Sequence, residues 1–263
     1  MSERLDCAVA ARGLARSRSQ AARLVSAGMV SVDGHPIVKP STAVDESQII
    51  EISGDDHYVS RAAHKLIAAL ETFPVDPRGR VVLDAGVSTG GFTQVLVERG
   101  ASRVLGVDVG HGQLAGHIAQ LPQVIAVEGF NIRGITRGWV LDRLGAAGLP
   151  TLVVADLSFI SLGLVLQPIR DAVAAEAEFI VLVKPQFEVG RGGVREGIVR
   201  DAAARDDAVM GVLWAAWDLG LGTAGVIPSP IAGTSGNREY LAWLSAPTGS
   251  NPTEWAGRVT AIA

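Results

Sequence analysis

The 263 residues leave room for one large domain or two unequal ones, and with 48% hydrophobic and 19% charged residues they bury a sizeable core, which excludes a disordered or collagen-like chain despite 31 Gly. The single cysteine, Cys7, excludes an internal disulfide framework and any multi-thiolate zinc site. The net charge of −4 hides a split: residues 1–40 hold Arg4, Arg12, Arg16, Arg18, Arg23 and Lys39 against Glu3, Asp6 and Asp33, a net of +3 that leaves −7 on the rest. A polyanion docks by such local charge rather than by the average.

Two stretches are free of charge yet unfit to cross a bilayer. Val109–Val127 contains His111, His117, Pro122 and three glutamines, and Leu219–Asn237 contains five Gly and two Pro. The N-terminus lacks the apolar core of a secretory signal. The sequence therefore predicts a soluble cytoplasmic protein without stable membrane association, and it carries no signal for an oligomeric state.

In chain order, Leu5, Ala8, Val9 and Leu14 fall at helical spacing between Arg4 and Leu14, with Gly13 as a C-terminal stop. Ser17-Arg18-Ser19-Gln20 reads as a capping box ahead of a second helix through Ala21, Ala22, Leu24 and Val25 to Gly28. Met29–Val38 alternates around Asp33-Gly34, a strong short-range hairpin signal. Arg12, Arg16, Arg18 and Arg23 along and between the helices, with Arg4 and Lys39, offer one track for RNA phosphates; solvated helix-face arginines are the alternative. Arg12-Gly-Leu-Ala-Arg-Ser-Arg-Ser-Gln-Ala-Ala and Val32-Asp-Gly-His-Pro-Ile, within residues 2–52, resemble the RNA-binding domain named after ribosomal protein S-four. That resemblance implies a module gripping structured RNA through its helix pair.

Asp55-Asp56-His57 reads as a polar connector, and Tyr58-Val59-Ser60-Arg61 leads into a helix to Leu70. The expected domains are 1–57 and 58–247, followed by a C-terminal tail at 248–263. Arg80–Asp84 reads as a short buried strand ending in a carboxylate. The turn Gly86-Val87-Ser88-Thr89-Gly90-Gly91-Phe92 follows and opens a helix over Thr93–Arg99. A second strand ends at Asp108, 24 residues after Asp84. Further strands are expected at Val124–Val127, Thr151–Ala155, Phe179–Val183 and Thr223–Ile227. Alternating β and α elements imply an α/β, Rossmann-like doubly wound parallel sheet behind a small α+β module, with the ligand beyond the carboxyl ends of the strands near the first turn.

The glycines there let backbone approach a ligand closely, and the helix start supplies N–H groups. The pattern is Gly-x-x-x-Gly-Gly rather than the dinucleotide Gly-x-Gly-x-x-Gly. Asp84 would repel a pyrophosphate but suits the cationic amino-acid end of S-adenosylmethionine, while Asp108 suits ribose hydroxyls. Glu128 and Asn131, at the end of the third strand, fall where such folds meet an adenine edge. The expected cofactor contacts are thus Asp84, Gly86, Ser88, Thr89, Gly90, Gly91, Phe92, Asp108, Glu128, Asn131 and Asp156.

Four residues carry the chemistry. Asp156 and Lys184 close strands at the ligand edge, and a lysine closing a buried strand is uncommon unless paired or functional. Lys65 precedes the first strand and Glu239 follows Ser235-Gly-Asn-Arg. Taken by residue type alone, an Asp156–Lys184 ion pair of purely structural value competes with catalysis, and Lys65 and Glu239 read as surface residues. The order Lys65, Asp156, Lys184, Glu239 resembles the tetrad of FtsJ-type ribose 2′-O-methyltransferases. Five blocks resemble the TlyA (haemolysin A) family: Ser60-Arg-Ala-Ala-His-Lys65-Leu, Asp84–Phe92, Asp156-Leu-Ser-Phe-Ile-Ser161, Leu182–Gly190 and Ser235–Glu239.

The resemblance implies methylation of the ribose 2′-hydroxyl of cytidine in 16S and 23S ribosomal RNA, in ribosomal subunits or the ribosome, from S-adenosylmethionine and without a metal. On that mechanism Lys184, neutral at least in part, would take the hydroxyl proton, Lys65 and Asp156 would orient Lys184 and the hydroxyl, and Glu239 would fix the second lysine or the ribose. Arg61 joins the expected RNA contacts. His64 reads as a helix-surface residue, and Glu188 as support for Lys184 or pocket lining. Trp214, Trp217 and Trp243 read as packing, and Arg191-Gly-Gly-Val-Arg195 as a basic loop near the active edge. The rival classes are a non-catalytic ribosome-associated module and a membrane-active haemolysin.

Overall fold

A computed structural model describes residues 3–15, 17–26, 28–52, 57–189, 197–233 and 236–263, and it divides into two units, Met1–His57 and Tyr58–Ala263. In the first, strand β1 (Glu3–Arg4) runs into helix α1 (Leu5–Ala11), followed by α2 (Arg18–Ser26). The Ser17 hydroxyl accepts the Gln20 amide at 3.2 Å, as the capping box requires. Strands β2 (Val30–Val32) and β3 (His35–Ile37) form the hairpin, with Asp33 and Gly34 both at positive φ as a primed turn demands. The short β4 (Ala43–Val44) pairs with β1, and β5 (Ile50–Ile52) adds a third strand beside β2. A two-residue and a three-residue strand carry too little alternation to be read from sequence. Leu5, Ala8, Val9, Ala21, Val25 and Val30 close the small core.

The second unit begins with α3 (Ala62–Thr72), β6 (Val81–Ala85), α4 (Gly91–Glu98) and β7 (Arg103–Val107). It continues through α5 (Gly116–Ala119), β8 (Val124–Val127), α6 (Arg137–Leu144), β9 (Leu152–Ala155), α7 (Leu166–Ala172) and β10 (Glu178–Val183). The short α8 (Pro185–Glu188) and long α9 (Ala202–Trp217) lead to β11 (Gly222–Pro228), β12 (Tyr240–Ser245) and α10 (Ala256–Ile262). The seven strands lie in the order β11-β12-β10-β9-β6-β7-β8. From β6 the chain winds outward through β7 and β8, then returns to start outward again through β9 and β10. The carboxyl end of β6 therefore borders the switch point where doubly wound sheets hold ligands.

The sheet is mixed rather than parallel, which corrects the sequence expectation: β12 runs antiparallel to both β10 and β11. All six residues of β12 are buried, so no polar alternation marks it as a strand. Nor do residues 248–263 form a tail apart, because Val259 of α10 lies in the main core and Arg205 donates to the Ala263 carbonyl at 2.9 and 2.6 Å.

Strand periodicity sorts the core into two layers. Leu83, Leu105, Val153 and Val181 pack on one face with Val140, Ile169, Val209 and Val259 from α6, α7, α9 and α10. Val82, Val104, Val154, Leu182 and Leu241 pack on the other with Leu66 of α3 and Val95 and Leu96 of α4.

Candidate active site

The period of two that builds those layers also aims the chemistry. Asp84, Asp156 and Lys184 share parity with Val82, Val154 and Leu182, and Glu239 shares it with Leu241, so all four belong to the α3/α4 face. The β10–β12 register, ending at Val183↔Tyr240, sets Lys184 opposite Glu239. Lys65 approaches from α3. Two ion pairs result: Lys184 Nζ lies 2.6 Å from Asp156 Oδ1, and Lys65 Nζ lies 2.6 Å from Glu239 Oε2. The first is a charge contact whose angle is off that of a hydrogen bond, while Lys184 Nζ also donates to Ser158 Oγ at 2.9 Å.

Lys65, Lys184 and Glu239 are buried, which corrects the surface reading of Lys65 and Glu239. Removing one member of such a pair strands the other charge, at a cost of about 3–5 kcal/mol, so these pairs are a poor route to stability alone. Gly233 leaves room for Glu239, since a Cβ there would collide with Glu239 Oε1.

At the switch point, Asp84 is fully buried and accepts from Thr93 Oγ1 at 2.6 Å, while its Oδ1 has no hydrogen-bond partner among the described residues. Burial pushes its carboxyl up to about 7 against the Thr93 hydrogen bond, helped by the charges of Asp156 and Asp108. The turn glycines answer to internal packing more than to close approach of a ligand. A Cβ on Gly86 (φ +92) would meet the Asp156 carbonyl at 2.5 Å, and one on Gly90 (φ +96) would meet Leu114 and Ile118 at 2.8 and 2.9 Å. Gly91 gives α3 room, its missing Cβ lying 3.0 Å from Ser60 Cβ. Helix α4 starts without a side-chain cap, which leaves first-turn amides for an anionic group.

Several expected cofactor contacts have other tasks. Phe92 is a core residue, 3% exposed among Val95, Leu96 and Leu66, because it faces back from the turn into the apolar layer. Asp108 Oδ2 accepts the amide of Ser88 and Oδ1 that of Gly110, both at 2.8 Å, so it ties the first turn to the loop after β7. Ser88 itself holds φ +44 and is exposed beside Thr89. Glu128 accepts amides from Gln113, Gly112 and Leu114, which lower its pKa and commit it to that loop. Asn131 is an exposed cap that accepts the Arg133 amide.

The residue the sequence reading passed over is Phe159. It sits two residues after the half-buried Leu157 and between Ser158 and Ile160, 90% exposed, at φ +64, with its ring 5.3 Å from that of Phe187. Its signal was present in Asp156-Leu-Ser-Phe-Ile-Ser161: an aromatic in a polar loop directly after a strand-ending acid. Glu188 does not support Lys184. It accepts from Ser161 Oγ at 2.6 Å and from the Leu162 amide at 2.9 Å, and burial raises its carboxyl pKa against those two bonds. His64 packs edge-on against Tyr58, 5.7 Å between centroids. Trp243 is buried, but Trp214 and Trp217 on α9 are 38% and 39% exposed.

In the first unit, Arg4 and Arg18 both pair with the buried Asp6, at 2.9 and 3.1 Å. Arg12 donates to the carbonyls of Gln48 and Asp45 at 2.7 and 2.8 Å, closing the loop before β5. Arg23 and Lys39 are exposed, as is Arg61 at the start of α3 in the second unit. Arg16, Asp55, Asp56, Ser235 and the Arg191–Arg195 loop lie outside the described residues.

The family profile of the FtsJ-like methyltransferases matches residues 58–246, and that of the S4 domain matches residues 3–50. The chain is 48% identical over 248 residues to the 16S/23S rRNA (cytidine-2′-O)-methyltransferase TlyA of Mycobacterium tuberculosis, which spans 93% of this chain and 90% of the relative. A Streptococcus thermophilus structure named as a hemolysin shares 35% identity at a TM-score of 0.75, over 99% of this chain and 94% of that one. A structure of an S-adenosylmethionine-dependent methyltransferase from Listeria monocytogenes superposes at a TM-score of 0.51 with 14% identity, over 70% and 99% of the two chains, a likeness of fold alone.

Proposed function

Because the chain belongs to the FtsJ-like methyltransferase family, in its TlyA branch, with an S4 domain ahead of the catalytic one, we propose that it methylates the ribose 2′-hydroxyl of cytidine in 16S or 23S ribosomal RNA. S-adenosylmethionine supplies the electrophilic methyl group. The observation that carries this reading is the pair of buried lysine–carboxylate contacts on one face of the sheet, Lys184–Asp156 and Lys65–Glu239, beside the switch point.

The residues at that switch point fit the cofactor's chemistry. Asp84 Oδ1, a buried acceptor without a hydrogen-bond partner among the described residues, suits an ammonium group, and the uncapped start of α4 suits a carboxylate. Asp108 keeps acceptor capacity for a ribose diol beyond the two amides it holds. Lys184, once its ammonium has released a proton to solvent, would take the proton of the 2′-hydroxyl at Nζ while the methyl group passes from sulfur to that oxygen, and Asp156 would steady the ammonium so re-formed. Ser158 fixes the direction of Nζ. Lys65, held by Glu239, adds positive potential where the oxygen gains negative charge. Alignment of the attacking oxygen contributes up to about 7–11 kcal/mol in well-oriented systems, which is why rigid pairs matter more than a strong base. Phe159, exposed beside these groups, offers a face for the base of the target nucleotide.

RNA affinity on this reading comes largely from the first unit, through Arg4, Arg18, Arg23 and Lys39, with Arg16 in the same sequence cluster. The site of action is then the compartment that holds ribosomes, the cytoplasm. Among the described residues no helix is long and apolar enough to cross a membrane. Transfer of radiolabelled methyl from S-adenosylmethionine to isolated 30S and 50S subunits, followed by mapping of 2′-O-methyl positions, tests the proposal. Label on a cytidine ribose supports it; label on a base or on protein, or no label on either subunit, overturns it.

A further inference from the structure

We propose that Glu188 is a positioning residue for methyl transfer, acting on the loop that presents Phe159 rather than on Lys184. The proposal rests on the functional reading above.

The loop between β9 and α7 is held at two points by the segment that follows β10. At its start, Ser158 Oγ accepts from Lys184 Nζ at 2.9 Å. At its end, Ser161 Oγ donates to Glu188 Oε2 at 2.6 Å and the Leu162 amide donates to Glu188 Oε1 at 2.9 Å. Between the two lies Phe159, in the left-handed region that a bulky side chain seldom adopts, and almost wholly exposed. Burial does not compensate for that conformation. Such a residue persists only where its surroundings over-determine it. The Glu188 carboxylate does so by committing its two oxygens to one hydroxyl and one backbone amide. Phe187, next to Glu188 on the same short helix, meets the Phe159 ring at 5.3 Å, so the clamp and the aromatic contact reinforce each other.

A purely structural role makes a different forecast. Glu188 would then serve as the cap of the 3-10 turn Leu162–Leu164, where Ser161 already accepts the Gly163 amide, and its loss would lower stability without changing turnover per folded molecule.

The test uses the full chain, with 50S and 30S subunits as substrate, and the variants Glu188→Ala, Glu188→Gln, Phe159→Ala and the double variant Phe159→Ala/Glu188→Ala. Glu188→Ala should lower kcat by about tenfold to a hundredfold, the scale of a small misplacement at a reacting centre. Its dissociation constant for S-adenosylmethionine, measured by calorimetry, should stay within about twofold, and hydrogen exchange at the Leu162 amide should accelerate while β9 and β10 remain protected. Glu188→Gln should recover most of kcat, since its carbonyl still accepts the Leu162 amide and its amide can donate to Ser161. In the Phe159→Ala background, Glu188→Ala should change kcat by no more than about twofold, because the two act as one unit.

Full kcat in Glu188→Ala, or an equal loss with and without Phe159, overturns the role. So does a weakened cofactor affinity, which would make Glu188 a pocket residue. A wild type that labels neither subunit fails the functional reading itself, and this role with it. An active wild type whose Glu188 variants all match it fails this role alone.

Discussion

Two aspartates of this protein are almost equally hidden from solvent, and their environments drive them in opposite directions. Asp6 of the first unit is 3% exposed and Asp84 of the second is fully buried. Hydrogen bonds from Arg4, and then from Arg18, hold the Asp6 carboxyl far below the usual carboxylate range. Asp84 has one neutral donor, Thr93, and two acidic neighbours, so burial wins and lifts it to about 7. The difference teaches that burial alone does not set charge; the partner does. In the first unit a sheltered acid gathers two exposed cations, Arg4 and Arg18. In the second, Asp84 has no cation among the described residues and lies beside the expected site of a cationic ligand, while Asp156 and Glu239 each have a lysine.

The largest effect should come from making Asp156 resemble Asp84. Lys184→Met removes the cation beside it, and methyl transfer should fall by about a hundredfold to ten-thousandfold, the range for a lost general acid–base group. Calorimetry should find S-adenosylmethionine binding largely retained. Binding lost together with activity would place Lys184 in the cofactor pocket.

Asp84→Asn sharpens the contrast from the other side. An acid whose pKa rises from 3.8 to about 7 on folding contributes stability below the lower value and loses it as pH climbs through the higher one. Wild-type stability should therefore decline between pH 4 and 8, by at most about 4 kcal/mol from this group, and Asp84→Asn should be spared that decline. A bound ammonium favours the ionised acid, so wild-type cofactor affinity should tighten as pH rises through 7, and the variant should lose that dependence. A wild-type dissociation constant flat from pH 6 to 8 would remove Asp84 from the site.

Asp108→Ala should weaken cofactor binding by about tenfold or more, since each charge-assisted hydrogen bond is worth ~1.5–3 kcal/mol. The same change frees the Ser88 and Gly110 amides, so Asp108→Asn, which still accepts one of them, should fall in between. Equal affinities for all three proteins would mean that the acid only braces the loop.

The smallest effect belongs to the first unit. Arg4→Met with Arg18→Met leaves Asp6 sheltered and without a cation, so its carboxyl resonance should titrate at higher pH than in the wild type. Binding to ribosomal RNA fragments should weaken, with the logarithmic salt slope reduced by ~0.7–0.9 for each phosphate contact removed. An unchanged slope would leave these two arginines as solvated partners of Asp6 and nothing more.

What the sequence alone determined was short-range. The Asp33-Gly34 turn, the Ser17 cap, the strand–turn–helix of Asp84–Gly91 and the strand-ending positions of Asp156 and Lys184 are legible because turn chemistry, capping and apolar periodicity act over a few residues. Only the tertiary structure decided who meets whom. Lys65 finds Glu239 across 174 residues, a pairing that no local pattern encodes, and folding buries both rather than leaving them at the surface. The antiparallel β12 escaped because a strand buried on both faces shows no alternation. Phe92 was assigned to the ligand and belongs to the core, while Phe159 was passed over and stands in solvent. Residue type and spacing are the same in the unfolded chain for both phenylalanines. The direction each faces is set by packing across the sheet and by the clamp on a loop, which exist only once the chain has folded.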